Sequence, residues 1–215
     1  MTRVKICGLC RAVDAAAAAD AGADYAGVIL APDRARSQSL RGAAEILAAA
    51  SDLRRVGVFI DATAAELIEA AGRLELDVLQ LHGAEPPELV AEVRAAGAWS
   101  IWKAVGARSA SDLLAAVERY AGVADGVLAD GWAPAAAGGS GVRFPWDEVA
   151  AARSRVPTGL TFIAAGGLDP ENVATAVRVL GPDIVDVSSG VERVVGEKSE
   201  RRIRAFVEAA KGVNR

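Results

Sequence analysis

Short β-type runs alternate with longer helical segments from one end of this 215-residue chain to the other. The runs are Val4–Leu9, Tyr25–Leu30, Arg55–Ile60, Val78–His82, Ser100–Val105, Gly126–Asp130, Thr161–Ala165 and Ile184–Ser188. Strands that alternate with helices pair in parallel, and parallel sheets are covered on both faces. That suits a continuous apolar run such as Tyr25-Ala26-Gly27-Val28-Ile29-Leu30. Eight strand-helix units predict an α/β fold with one closed, parallel eight-stranded (β/α)8 barrel of the TIM type. An open doubly wound sheet usually has fewer strands and a Gly-x-Gly-x-x-Gly turn after the first. Here that turn reads Cys7-Gly8-Leu9-Cys10.

The segments between the runs carry helix punctuation. Thr63-x-x-Glu66 is a capping box, Asp169-Pro170 reads as a cap before a first-turn proline, and Gly181-Pro182 is a stop signal. Ile203, Phe206, Val207 and Ala210 recur at helical spacing among charges. Asp24, Asp77, Asp125 and Asp183 each stand at the entry to an even-numbered strand, a faint echo of paired units. No linker or low-complexity tract divides residues 1–215, so a single barrel domain is expected.

Composition narrows the function classes. A net charge of −4 without a run of like charge argues against a nucleic-acid partner. No uninterrupted apolar stretch is long enough for a membrane span, and Lys5 and Cys7 interrupt the place where a signal peptide would be apolar. A soluble, cytoplasmic protein is expected. Cys7, Cys10 and the single His82 do not fill a four-ligand zinc site, so no structural metal is expected.

Barrels of this kind build their sites at the C-terminal ends of the strands. There the sequence places Cys7, the segment 32–37, His82, Lys103, Asp130, Gly166-Gly167 and Ser188-Ser189-Gly190. Glycine lets backbone N–H groups approach an anion, and Gly138-Gly139-Ser140-Gly141, Gly166-Gly167 and Ser188-Ser189-Gly190 follow the last three strands. Together they predict a cradle for a small phosphate ester, although any one pair alone reads as a turn. Cys7 and Cys10 form C-x-x-C at a strand-to-helix junction, which fits a redox pair or two packed thiols. Asp130 could cap a turn, His82 could be structural, and Lys103 could snorkel to solvent at the rim. The four tryptophans read as packing residues.

These motifs resemble the phosphoribosylanthranilate isomerase family over essentially the whole chain. The resemblance rests on Lys5-Ile6-Cys7-Gly8-Leu9, Gly57-Val58-Phe59, Gln80-Leu81-His82-Gly83-x-Glu85, Gly138-Gly139-Ser140-Gly141 and Ala165-Gly166-Gly167-Leu168. It continues through Asn172-Val173, Asp186-Val187-Ser188-Ser189-Gly190-Val191-Glu192 and Gly196-x-Lys198. It implies a cofactor-free, metal-free Amadori rearrangement of a phosphoribosyl ring on anthranilate nitrogen, in tryptophan biosynthesis. It further implies that Cys7 is the general base, Asp130 the general acid, and Arg36 the partner of the anthranilate carboxylate. His82, Gly139, Gly141, Gly166, Gly167, Asp186, Ser188, Ser189 and Gly190 are implied as substrate-binding, and a monomer is expected.

The sequence departs from the family at Cys10, in the Asp33-Arg34-Ala35-Arg36-Ser37 segment, at Ala129 and at Ser199. The second departure leaves Arg34 as an alternative to Arg36. A thiol oxidoreductase using Cys7 and Cys10, and a barrel that only binds a phosphorylated ligand, are the rival readings.

Overall fold

The computed structural model describes residues 1–131 and 146–213. Eight parallel strands close into a barrel in sequence order: β1 (Arg3–Ile6), β2 (Tyr25–Ile29), β3 (Arg54–Phe59), β4 (Val78–Leu81), β5 (Ser100–Gly106), β6 (Gly126–Asp130), β7 (Thr161–Ala164) and β8 (Ile184–Val187). Helices α1 (Ala12–Asp20), α2 (Leu40–Ala48), α3 (Ala64–Leu74), α4 (Pro87–Ala95), α5 (Ala110–Tyr120), α6 (Trp146–Ala152), α7 (Val173–Leu180) and α8 (Glu200–Lys211) follow them one by one. The barrel expected from the alternation is therefore the observed fold.

Local chemistry sets the helix ends. Thr63 and Glu66 form the expected capping box at α3, and Ser39, Ser109 and Ser199 accept a backbone N–H at the starts of α2, α5 and α8. Gly181 ends α7 in a left-handed conformation, φ 54°. Three expectations need correction. Strand β1 stops at Ile6, because Gly8 turns the chain with φ +65° and leaves Cys7 to Leu9 beyond the strand. Pro170 is not in the first turn of α7, whose N-cap is Asn172; its side chain is drawn into the preceding loop, accepting from Asp169 N and donating to Gly167 O. A short antiparallel hairpin, β9 (Glu192–Val194) and β10 (Glu197–Lys198), intervenes between β8 and α8.

Strand alternation divides the side chains into two cores. One face packs under the helices, with Ile6, Leu79, Leu81, Ile101, Val127 and Val185. The other fills the barrel with Tyr25, Val56, Val78, Trp102, Ala104, Leu128, Ile163, Ala165 and Ile184. Trp102 meets Tyr25 edge-on with centroids 5.1 Å apart, as a packing residue should.

The aspartate echo has a physical meaning at the N-terminal face. Asp24, Asp77, Asp125 and Asp183 accept the backbone N–H of Val4, Arg55, Ile101 and Phe162 at 2.7, 2.7, 2.8 and 2.8 Å. In return each aspartate's own N–H donates to the carbonyl of that same residue. Every odd strand is thus clasped by the aspartate that opens the next even strand. Each carboxylate also faces a cation: Lys211, Arg54, Arg94 and Arg153 respectively. Asp125→Ala would leave the N–H of fully buried Ile101 without that acceptor. The expected cost is about 1–3 kcal/mol in urea unfolding, with kcat/KM unchanged because the clasp lies at the far end from the barrel's mouth.

Candidate active site

The alternation that fills the barrel also aims the polar residues. Cys7 follows Lys5 by two positions, His82 follows Gln80, Asp130 follows Leu128, and Ser188 follows Asp186, so all belong to the inward face. At the C-terminal mouth they open into a cavity of about 960 Å³. Cys7, His82, Asp130, Gly166, Gly167, Asp186, Ser188 and Ser189 line it, together with Arg34 and Arg36. Gly190 sits just behind, where a Cβ would stand 1.9 Å from Leu168 O, so that two loops can pass. Gly139 and Gly141 lie outside the described residues.

Asp130 and His82 form a pair, Oδ2 to Nε2 at 3.2 Å. The Gln80 amide nitrogen stands 3.0 Å from His82 Nδ1, so with Gln80 donating, Nε2 carries the proton toward Asp130. Gln80 is 1% exposed, and its Oε1 has no partner among the described residues. Gly166 lets the β7 loop close on this group: with φ +80°, a Cβ there would strike Gly131 N at 2.1 Å and Asp130 Oδ1 at 2.7 Å.

Cys7 is 6% exposed, and burial pushes its thiol above the ordinary value while the neighbouring Lys5 pulls it down. Lys5 is fully buried and pairs with Asp186 Oδ1 at 3.0 Å. Cys10 parts company with Cys7. It is half-buried, its sulfur faces the carbonyls of Gly8 and Arg36 at 3.6 and 3.7 Å, and it is not among the residues that line the cavity.

Arg36 reaches the cavity with its guanidinium held from behind. Its Nε and one terminal nitrogen meet the two oxygens of Glu192 at 2.7 and 2.6 Å. Lys198 adds a contact to Glu192 at 3.0 Å and donates to Ser188 O at 3.1 Å, so the β9–β10 hairpin braces both Arg36 and the β8 loop. Arg34 also lines the cavity but is exposed. No described residue accepts from the N–H groups of Gly166, Gly167 or Ser189.

Lys103 does not snorkel. It lies between inward-facing Trp102 and Ala104, so it points into the helix layer, 2% exposed. There Nζ donates to the carbonyls of Leu81, Gly83 and Ala104 and faces Glu85 at 3.3 Å. Glu85 in turn accepts from Asp61 N and Gly83 N, which fixes the turn immediately after His82. Lys5, Gln80, Glu85, Glu192 and Lys198 stand within the family motifs, but their roles emerge only in the fold. For Lys5 and Gln80 the signal is a polar residue inside an apolar strand run, two positions before a site residue; Glu85, Glu192 and Lys198 lie in loops and the hairpin and carry no such local signal.

This arrangement defines a (β/α)8-barrel enzyme, with a thiol and a carboxyl group facing one cavity and backbone donors that no described residue engages beside them. The model of the N-(5′-phosphoribosyl)anthranilate (PRA) isomerase family matches residues 4–209. The chain belongs to that family. It is 41% identical over 215 residues to N-(5′-phosphoribosyl)anthranilate isomerase of Ruegeria sp. (strain TM1040), covering 98% of each chain. It is 41% identical over 213 residues to that of Paramagnetospirillum magneticum, covering 97% of each. The crystal structure of phosphoribosyl anthranilate isomerase from Thermotoga maritima superposes with a TM-score of 0.88 at 33% identity, over 99% of this chain and 100% of that one. A second isomerase structure, in complex with reduced 1-(o-carboxyphenylamino)-1-deoxyribulose 5-phosphate, gives a TM-score of 0.84 at 32% identity, over 99% and 100%.

Glu192 is held below the ordinary carboxylate range: its burial alone would raise it, but Arg36 and Lys198 outweigh burial. A carboxyl depressed in the folded state stabilises above its unfolded value, and that stabilisation disappears as pH falls through the depressed value. Glu192→Gln is therefore expected to lower the urea midpoint at pH 7 and to lose less stability than the parent as pH drops below about 4.3. Urea titrations across that range check it.

Proposed function

We propose that this chain converts N-(5-phosphoribosyl)anthranilate to 1-(2-carboxyphenylamino)-1-deoxyribulose 5-phosphate by acid–base catalysis, as an enzyme of tryptophan biosynthesis. The observation that carries the reading is Cys7 and Asp130 facing one cavity from the ends of two different strands, in a chain of this family.

Asp130 gives its proton to the ring oxygen as the C1′–O bond breaks, while the anilino nitrogen's lone pair forms the iminium. Cys7 then takes the C2′ proton, and the resulting enaminol tautomerises to the ketone. His82 orients the acid through its 3.2 Å contact. The buried, unpartnered Gln80 Oε1 offers an acceptor for a sugar hydroxyl. The N–H groups of Gly166, Gly167 and Ser189, which no described residue engages, with Ser188 and Gly190 shaping their loop, suit the phosphate. The part of Arg36 not engaged by Glu192 suits the anthranilate carboxylate.

The decisive assay is fluorescence with freshly made phosphoribosylanthranilate: enzyme-dependent loss of the anthranilate signal, above spontaneous breakdown, with formation of the ketose. No such loss would leave only ligand binding. Asp130→Asn keeps shape but supplies no carboxyl proton, so kcat should fall roughly 10²- to 10⁴-fold with binding largely retained. Cys7→Ser should collapse turnover while Cys10→Ser stays active; a redox pair would lose activity with either. Arg36→Ala should weaken substrate binding about ten- to a hundredfold and Arg34→Ala less. The reverse order, measured as KM, would give the carboxylate to Arg34.

A further inference from the structure

A thiol sealed in a barrel is a poor base unless something nearby favours its anion. The structure provides one cation for this purpose that substrate does not reach. Lys5 is absent from the residues that line the cavity, whereas Cys7, two positions along the same strand, and Asp186 on the adjacent strand both line it. Lys5 is 0% exposed, and register sets it directly beside Asp186 across the β1–β8 seam. On its other side β2 carries Gly27. A Cβ at that position would stand 3.0 Å from Lys5 Cε, 3.2 Å from Lys5 Nζ and 3.2 Å from Cys7 Sγ. The missing side chain is the slot that the ammonium and the sulfur share, so the two lie within twice that distance of each other.

We infer that Lys5 is a positioning residue for the isomerisation, an ammonium fixed beneath the cavity floor that offsets burial and makes the Cys7 thiolate easier to form, with Asp186 opposing it. The inference rests on Cys7 as the general base. Lys5 keeps its own protons, the proton shed by Cys7 leaves to solvent, and the thiolate then takes the carbon-bound proton of the substrate. The Coulombic roles agree in direction. Burial pushes the lysine down, but Asp186 and the sulfur hold it above its ordinary value, so it stays charged. The charged groups facing Cys7 are Lys5 on β1, Asp186 on β8 and Lys198 on the hairpin, with Arg36 acting from the loop after β2. Lys198 and Arg36 meet Glu192 and Lys5 meets Asp186, but Lys5 is the cation whose Nζ shares the Gly27 slot with the Cys7 sulfur.

The test uses Cys10→Ser protein, so that Cys7 is the only thiol, and reads iodoacetamide alkylation of Cys7 against pH together with kcat and KM. Asp186→Asn removes the opposing charge while keeping an acceptor for Lys5, and the alkylation midpoint should move down. Lys5→Met, made in that Asp186→Asn background so that no buried carboxylate is left unpaired, should move the midpoint up by about one pH unit or more relative to Asp186→Asn. The same step should lower kcat roughly tenfold or more near neutral pH, with KM changed much less. A merely structural lysine predicts loss of stability without opposite shifts of the thiol. Equal midpoints in Asp186→Asn and the double variant overturn the inference. If the double variant does not fold, Lys5→Gln in the same Asp186→Asn background is titrated instead: a raised midpoint supports the inference and an unchanged or lowered one overturns it. The base assignment fails separately, through a Cys7→Ser protein that still turns over while the thiol titration behaves as stated.

Discussion

Closure of the barrel rests on one buried ion pair at its seam. Lys5 of β1 and Asp186 of β8 meet at 3.0 Å, across a separation of 181 residues, the lysine fully buried and the aspartate meeting solvent only through the cavity. Desolvating both ions is costly, and the pair gives little net stability compared with apolar packing of the same volume. What it supplies is register. A one-residue slip of β8 against β1 would turn Asp186 outward and leave the lysine alone in the core, so the penalty for misclosure is large. Correct closure in turn sets Cys7 beside Ser188, brings the hairpin that follows β8 onto Arg36, and completes the rim of the cavity.

Around this seam the structure separates two tasks by height. The N-terminal face is held by backbone-directed carboxylates, which accept N–H groups and face surface cations. The C-terminal face is built from loops whose polar groups are only partly used. Among the described residues, several groups facing this cavity have no partner: the Gln80 oxygen, the N–H groups of two glycines and a serine, and the outer edge of the Arg36 guanidinium. Buried polar atoms are normally satisfied. Several unpartnered groups facing one cavity mark it as a place for ligand.

Most of the fold was legible because it follows from periodicity. Apolar runs such as Tyr25 to Leu30 announce parallel strands, and Thr63 with Glu66 announces a helix start, since both signals are local. Inward-facing residues at strand ends could likewise be read as Cys7, His82 and Asp130. The departures share a different origin. Lys103 looks like a rim residue until its three carbonyl acceptors and Glu85 are supplied by β4 and the turn beyond it. Pro170 looks like a helix start until Asn172 is claimed by Gly167. Lys5 and Glu192 gain their meaning from partners 181 and 156 residues away, which no local pattern encodes.

The aspartate clasps carry a consequence for the order in which the chain assembles. Each joins residues only 20 to 24 positions apart, whereas the seam joins positions 181 apart. Loop-closure entropy rises with the logarithm of length, which makes the seam contact about 2 kcal/mol harder to form from an open chain than the shortest clasp. Neighbouring strand-helix units can therefore zip together in sequence, each ending on its own clasp, while the terminal strands wait for one another. The thiol on β1 and the loop after β8 come together only at that last step. The site is thus completed only by the finished ring, and a fragment lacking either terminal strand lacks part of it.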